Sequence, residues 1–250
     1  MNETTALIVW ITLAFTVAGF VKGVVGMGLP TVAIGLLGIV MAPVSAVAIL
    51  VIPSLVTNVW QLIAGPKFKA LSQRFATMLL AVCVGTFMGI GVLTGPSAST
   101  AGAALGAVLM AYGLYGLFGR PLAVTAVSER WLSPLIGLIT GLIAGATGIF
   151  AVPMVPYLNS LGLAKDDLIQ ALGLSFTAST LALAGALAFK GQYQVPMIWN
   201  SVLAVLPALV GMYIGQLVRE KLRPEVFRRW FFIGLVGLGA YMLIRALWPK

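Results

Sequence analysis

The sequence predicts an all-α polytopic membrane protein made of two inverted repeats. Each repeat is a broken-helix hairpin followed by three transmembrane helices, giving about 8–10 helical membrane segments in total. Three observations carry this. Of the 250 residues, 60% are hydrophobic and only 8% are charged, a balance that soluble domains do not show. Apolar runs of about 20 residues recur along the whole chain, the length that crosses a bilayer as a helix, and nothing matches the alternating pattern of a membrane β-barrel. A glycine-rich motif in the first half returns in the second.

The pattern places helical segments at 5–28, 31–41, 43–64, 74–94, 98–118, 131–149, 152–160, 167–189, 196–218 and 226–247. The first begins without the basic region of a signal peptide, so MNETTALIVW reads as the start of a membrane helix. Segments 31–41 and 152–160 are too short to span a core of roughly 30 Å at 1.5 Å per residue. Each follows a glycine cluster and lies beside a proline: GFVKGVVG (Gly19, Gly23, Gly26) leads to Pro30, and GLIAGATG (Gly141, Gly145, Gly148) leads to Pro153. Each short segment is therefore the second leg of a hairpin. Further along, SLVTN (Ser54 to Asn58) corresponds to SFTAST (Ser175 to Thr180), and VGTFMG (Gly85, Gly89) to VGMYIG (Gly211, Gly215). These pairs divide the chain into a first membrane repeat, 1–120, and a second, 128–250, joined by the polar stretch GRPLAVTAVSERW.

Charge orients the repeats. The net charge of +9 is concentrated in a few loops, which points to the positive-inside rule and not to nucleic acid. Lys67, Lys69, Arg74, Arg120, Arg130, Lys165, Arg219, Lys221, Arg223, Arg228 and Arg229 then fall on the inner side, and Lys190, Arg245 and Lys250 on the outer. Segments 5–28 and 31–41 start and finish outside, 131–149 and 152–160 start and finish inside, and three spans follow each pair. Three is odd, so the repeats are inverted. Both termini are expected on the outer side of the membrane.

Inverted repeats with broken helices are the pattern of secondary transporters, whose half-helix starts meet near the bilayer midplane. Such starts present backbone N–H groups with partial positive charge, which suits an anion. The expected binding set is Lys22, Gly26, Gly28 and Thr31 at the first break, and Thr147 and Gly148 at the second. Thr57, Asn58, Gln61, Ser175, Thr177, Ser179 and Thr180 join it from the matched polar helices. Most glycines also fit plain helix packing through small-xxx-small contacts. Lys22, the lysine inside a membrane segment, either faces an anion or snorkels to the interface. Single hydroxyls in helices often bond only the i−4 carbonyl.

Other chemistry is excluded. There is no His and one Cys, Cys83, so an intramolecular disulfide or a His-ligated metal site is out of reach. Glu3, Glu129, Asp166, Asp167, Glu220 and Glu225 all fall in loops or at segment ends. There is no phosphate-binding P-loop. The reading is of no enzyme, no cofactor and no metal; the partners are a small anionic substrate and the lipid bilayer.

GFVKGVVGMGLP, its echo GLIAGATGIFAVP, the polar SLVTN and SFTAST helices and the later VGTFMG and VGMYIG together resemble the TauE/SafE family of sulfite exporters, bacterial membrane permeases. The resemblance covers essentially the whole chain. It implies transport of a sulfur-containing anion, sulfite or an organosulfonate, across the inner membrane. It places Gly19, Gly23, Gly26 and Gly28, with Gly141, Gly145 and Gly148, on the family's glycine motif. Many members carry a run of consecutive glycines after the motif, where this chain has Leu29-Pro30 and Ile149-Phe150. A permease for another small anion, such as a carboxylate, and a non-transporting assembly factor are the alternative readings.

Overall fold

The computed structural model describes residues 3–96, 98–119, 124–192, 195–219 and 224–248. Arg120, Glu220, Lys221, Arg223 and Lys250 lie outside the described residues. The described chain is helical throughout: α1 Glu3–Val25, α2 Leu29–Leu37, α3 Pro43–Ile63, α4 Phe68–Arg74, α5 Ala76–Leu93, α6 Ala98–Phe118, α7 Ala126–Thr147, α8 Met154–Ser160, α9 Lys165–Phe189, α10 Val195–Leu203, α11 Val205–Arg219 and α12 Pro224–Leu247. Among the described residues eight helical stretches are long and apolar enough to cross a bilayer, α10 and α11 counting as one. The chain is a multi-pass membrane protein. The short legs α2 and α8 fall below spanning length, as their sequence requires.

Two boundaries differ from the sequence pattern. Segment 196–218 is divided into two helices at Ala204, because Pro207 has no N–H to offer the Leu203 carbonyl. The basic loop after α3 contains a seven-residue helix, α4, whose polarity hides it from a hydropathy reading.

The chain forms two compact units. One comprises Met1–Pro53, Gly95–Gly119 and Tyr193–Lys250; the other comprises Ser54–Thr94 and Arg120–Gln192. Each takes helices from both halves of the sequence. In the first unit α1 packs against α11 and α6 against α12; in the second α5 packs against α7 and α9.

The glycine motifs explain the tightest of these contacts. A Cβ on Gly19 or Gly23 would overlap the Ala208 or Met212 carbonyl, and one on Gly211 or Gly215 the Thr16 or Phe20 carbonyl. In the other unit, a Cβ on Gly85 or Gly89 would overlap Leu138 or Leu142, and one on Gly141 or Gly145 would overlap Val82 or Thr86. The α1–α11 and α5–α7 pairs therefore meet backbone to backbone. Lipid offers no hydrophobic drive for helix association, so this van der Waals closeness supplies it.

The same contacts give helix directions. Gly19 and Gly23 meet successively later residues of α11, as Gly85 and Gly89 do along α7, so both pairs run parallel. Gly106 meets Gly239 and Leu243 while Gly113 meets Phe232 and Val236, so α6 and α12 are antiparallel. Gly173 meets Leu62 while Thr180 meets Ser54, so α3 and α9 are also antiparallel.

Gly141→Ala should destabilise the protein by about 1–3 kcal/mol through backbone overpacking. Gly91→Ala, on the same α5–α7 pair but with nothing near its added methyl, should be neutral or slightly stabilising. Unfolding of the purified protein in mixed micelles distinguishes the two.

Candidate functional site

Both breaks have one construction. α1 ends at Val25, and the Gly26 N–H returns to the Lys22 carbonyl at 2.7 Å with φ +83°. α7 ends at Thr147, and the Gly148 N–H returns to the Ala144 carbonyl at 2.7 Å with φ +79°. Each glycine is a left-handed helix stop, a conformation that costs an L-residue about 1–2 kcal/mol. Lys22 and Ala144 thus hold equivalent places, four residues before the stop. Gly28, at φ +99°, then caps the N-terminus of α2.

The breaks differ in their side chains. In the first turn of α2 Pro30 carries no N–H and the Val32 N–H is bonded to the Gly28 carbonyl, leaving the N–H groups of Leu29 and Thr31. The Thr31 side chain is fully buried and its hydroxyl has no hydrogen-bond partner. Lys22, in the last turn of α1, is 4% exposed. It is enclosed by protein and does not reach out along the surface, which removes the snorkelling reading. At the second break Pro153 and Pro156 have no N–H, the Val155 N–H is bonded to the Ala151 carbonyl, and the Ile149 N–H is taken by the Thr147 hydroxyl at 3.2 Å. The two breaks therefore differ most clearly in one side chain: Lys22 stands where the second has Ala144.

Lys22, Gly26, Gly28 and Thr31 belong to the first compact unit. Thr57, Asn58, Gln61, Thr147, Gly148, Ser175, Thr177, Ser179 and Thr180 belong to the second. Within it, α3 and α9 are joined by a buried hydroxyl–amide network. Asn58 Nδ2 donates to Ser54 Oγ at 3.0 Å and to Thr180 Oγ1 at 3.3 Å, and the two hydroxyl oxygens are 3.2 Å apart. Ser54 belongs to this site, although a sequence reading that starts at Thr57 passes over it. Its signal was the matched serine, Ser175, at the head of SFTAST.

Several of the other hydroxyls return to their own helices. Thr177 donates to the Gly173 carbonyl, Ser179 to Ser175, Thr180 to Phe176 and Thr147 to Ile143, at 2.7–2.8 Å. Thr57 bonds the Ser54 carbonyl at 3.2 Å, and Gln61 is buried. Ser175 is the exception, fully buried with a hydroxyl that has no hydrogen-bond partner. Thr31 and Ser175 are thus the candidate residues whose buried hydroxyls have no hydrogen-bond partner.

One end of this second unit is fastened by charge. Lys67 Nζ pairs with Asp167 at 2.8 Å, and Arg74 grips Glu129 through Nε at 2.7 Å and Nη2 at 2.8 Å. The bond to Glu129 pushes the Arg74 guanidinium further above its ordinary pKa. Gln170 accepts from the Lys67 N–H at 2.9 Å and donates to the carbonyls of Leu62 and Gly65, capping the end of α3. The loops bearing Lys67, Arg74, Glu129 and Asp167 therefore lie at one membrane face.

The family model described as sulfite exporter TauE/SafE matches residues 11–242, a span that includes both breaks and both polar helices. The chain belongs to the TauE/SafE family. A probable sulfite/organosulfonate exporter TauE of Cupriavidus necator is 26% identical over 238 residues, which cover 93% of this chain and 89% of that protein. No solved structure matches the chain. The TauE/SafE family is one of exporters, so the chain is a transporter and not an enzyme.

Thr31→Val and Ser175→Ala each remove a buried hydroxyl that has no protein partner, so neither should destabilise the fold; relief of an unpaired polar group stabilises by up to about 1 kcal/mol. If these hydroxyls serve a ligand, affinity for the transported anion should fall about fivefold or more. Thermal unfolding with and without substrate separates the two effects.

Proposed function

We propose that the protein is a secondary transporter that moves sulfite or an organosulfonate across the bacterial inner membrane by alternating access. The observation that carries this reading is the first break: a buried lysine, a left-handed glycine stop, the N-terminus of α2 and an unpartnered buried hydroxyl, all within Lys22 to Thr31. A lysine within a membrane helix costs about 2.5–3.5 kcal/mol on insertion scales, and an anion at the adjacent helix start offsets that cost. Family membership and the name of the Cupriavidus relative support a sulfur oxyanion as that ligand.

The reading includes two inverted repeats, 1–120 and 128–250. The antiparallel packing of α6 on α12, and of α3 on α9, supports it, since equivalent helices of a direct repeat would run the same way through the membrane. The ion pairs that hold the 65–74 loop near the starts of α7 and α9 support a common, cytoplasmic face for these basic segments. The termini are then periplasmic.

Proteoliposomes test the substrate. Sulfite or a short sulfonate should accumulate, with thiosulfate and acetate as competing arms. Lys22→Met, which keeps the stem and removes the charge, should weaken anion affinity at least about tenfold, and Lys22→Arg should retain part of it. Wild-type kinetics in Lys22→Met would refute the role of the charge; uptake of acetate alone would reassign the substrate.

Topology is tested separately. In a Cys83→Ser background, single cysteines at positions 69 and 228 should resist a membrane-impermeant maleimide added outside intact spheroplasts. Labelling of both would overturn the orientation.

A further inference from the structure

We infer that α3 is the moving joint of the transporter, and that Ser201 is the positioning residue that makes its break at Pro53 tolerable within the membrane. The inference rests on the alternating-access reading.

The boundary between the two compact units crosses the chain at 53/54, 94/95, 119/120 and 192/193. The last three crossings lie in the connections after α5, α6 and α9. The first lies inside α3, between Pro53 and Ser54. Movement of one unit against the other needs only loop rearrangement at three crossings, but at the fourth it must deform a helix.

That point of the helix is already weakened. A proline ring has no N–H, so Pro53 leaves the Ile49 carbonyl, four residues earlier, without its helical donor. In a bilayer such a group must find another partner within the protein. The Ser201 hydroxyl of α10 donates to the Ile49 carbonyl at 2.7 Å, and the Ile52 N–H donates to Ser201 Oγ at 3.2 Å. Ser201 is 1% exposed, so water does not take its place. One side chain thus serves both a carbonyl and an N–H on the turn that the proline disrupts. Pro207 provides the contrast: there the helix divides into α10 and α11. On the other side of Pro53, Ser54 and Asn58 tie α3 to Thr180 of α9. Each side of the proline is therefore anchored within its own unit, and flexure is confined to the residues between the anchors. The matched helix α9 has Leu174 where α3 has Pro53, and it lies wholly in one unit.

The test is a double-mutant cycle with Ser201→Ala, Pro53→Ala and the combined variant, with Ser201→Thr as the rescue. Each is purified as the full chain, unfolded thermally, and assayed for sulfite and sulfonate flux in proteoliposomes. Ser201→Ala should lower the unfolding temperature and cut turnover about fivefold or more with KM nearly unchanged, and Ser201→Thr should restore both. Pro53→Ala supplies an N–H to Ile49, so it should be at least as stable as the wild type yet slower in turnover. In that background Ser201→Ala should cost almost nothing in stability. Amide exchange over residues 50–58 should be faster in the wild type than in Pro53→Ala. Equal stability losses from Ser201→Ala in both backgrounds would show that Ser201 does not act through the freed carbonyl. Wild-type turnover or unchanged exchange in Pro53→Ala would show that α3 is not the joint. Failure of the wild type to move either anion would overturn the transport reading and the joint with it, while the stability cycle would still report on the Ser201 contact.

Discussion

Every feature of this molecule depends on one constraint: a peptide group in hydrocarbon must find its hydrogen bond within the protein. An unbroken helix meets it automatically. This chain departs from unbroken helices at Gly26–Gly28, at Gly148–Pro153 and at Pro53, and each departure has its own remedy. Left-handed glycines return N–H groups to Lys22 and Ala144. A hydroxyl from Ser201 fills the place left by Pro53. At the second hairpin, prolines remove donors that would otherwise be left over.

The hairpins are alike in backbone and unlike in chemistry. Both stop with a glycine near φ +80°, and both restart as a helix too short to span. The first has a buried lysine, Lys22, and a buried hydroxyl without a hydrogen-bond partner, Thr31; the second has Ala144 and a Thr147 hydroxyl bonded to the Ile143 carbonyl.

Much of this was legible in the sequence because it is local. Apolar run length located the spans, and glycine clusters followed by proline located both breaks. The repeat marked Ala144 as the counterpart of Lys22, and the structure gives both the same hydrogen bond. What was not legible depends on which helices meet. The role of Pro53 is visible only once α10 is beside α3. Gln170 reads as one more polar residue until its amide is seen capping Leu62 and Gly65. The spacing brings the hydroxyls of Thr177, Ser179 and Thr180 together, but it does not reveal the i−4 carbonyl bond that each also makes. Composition cannot distinguish a hydroxyl that is satisfied from one that is waiting.

The glycine face of α1 has a partner almost 200 positions later in the chain, α11, whereas that of α5 meets α7 after one intervening helix. Ribosomal synthesis at the usual 5–20 residues per second makes this a wait of roughly 10–40 s. During that interval α1 sits in lipid with a bare backbone stripe and a lysine not yet enclosed by its final neighbours. The second compact unit can complete its parallel pair first, while the first unit stays open until nearly the last helix leaves the translocon. The N-terminal helix is therefore among the last to gain its glycine-face partner.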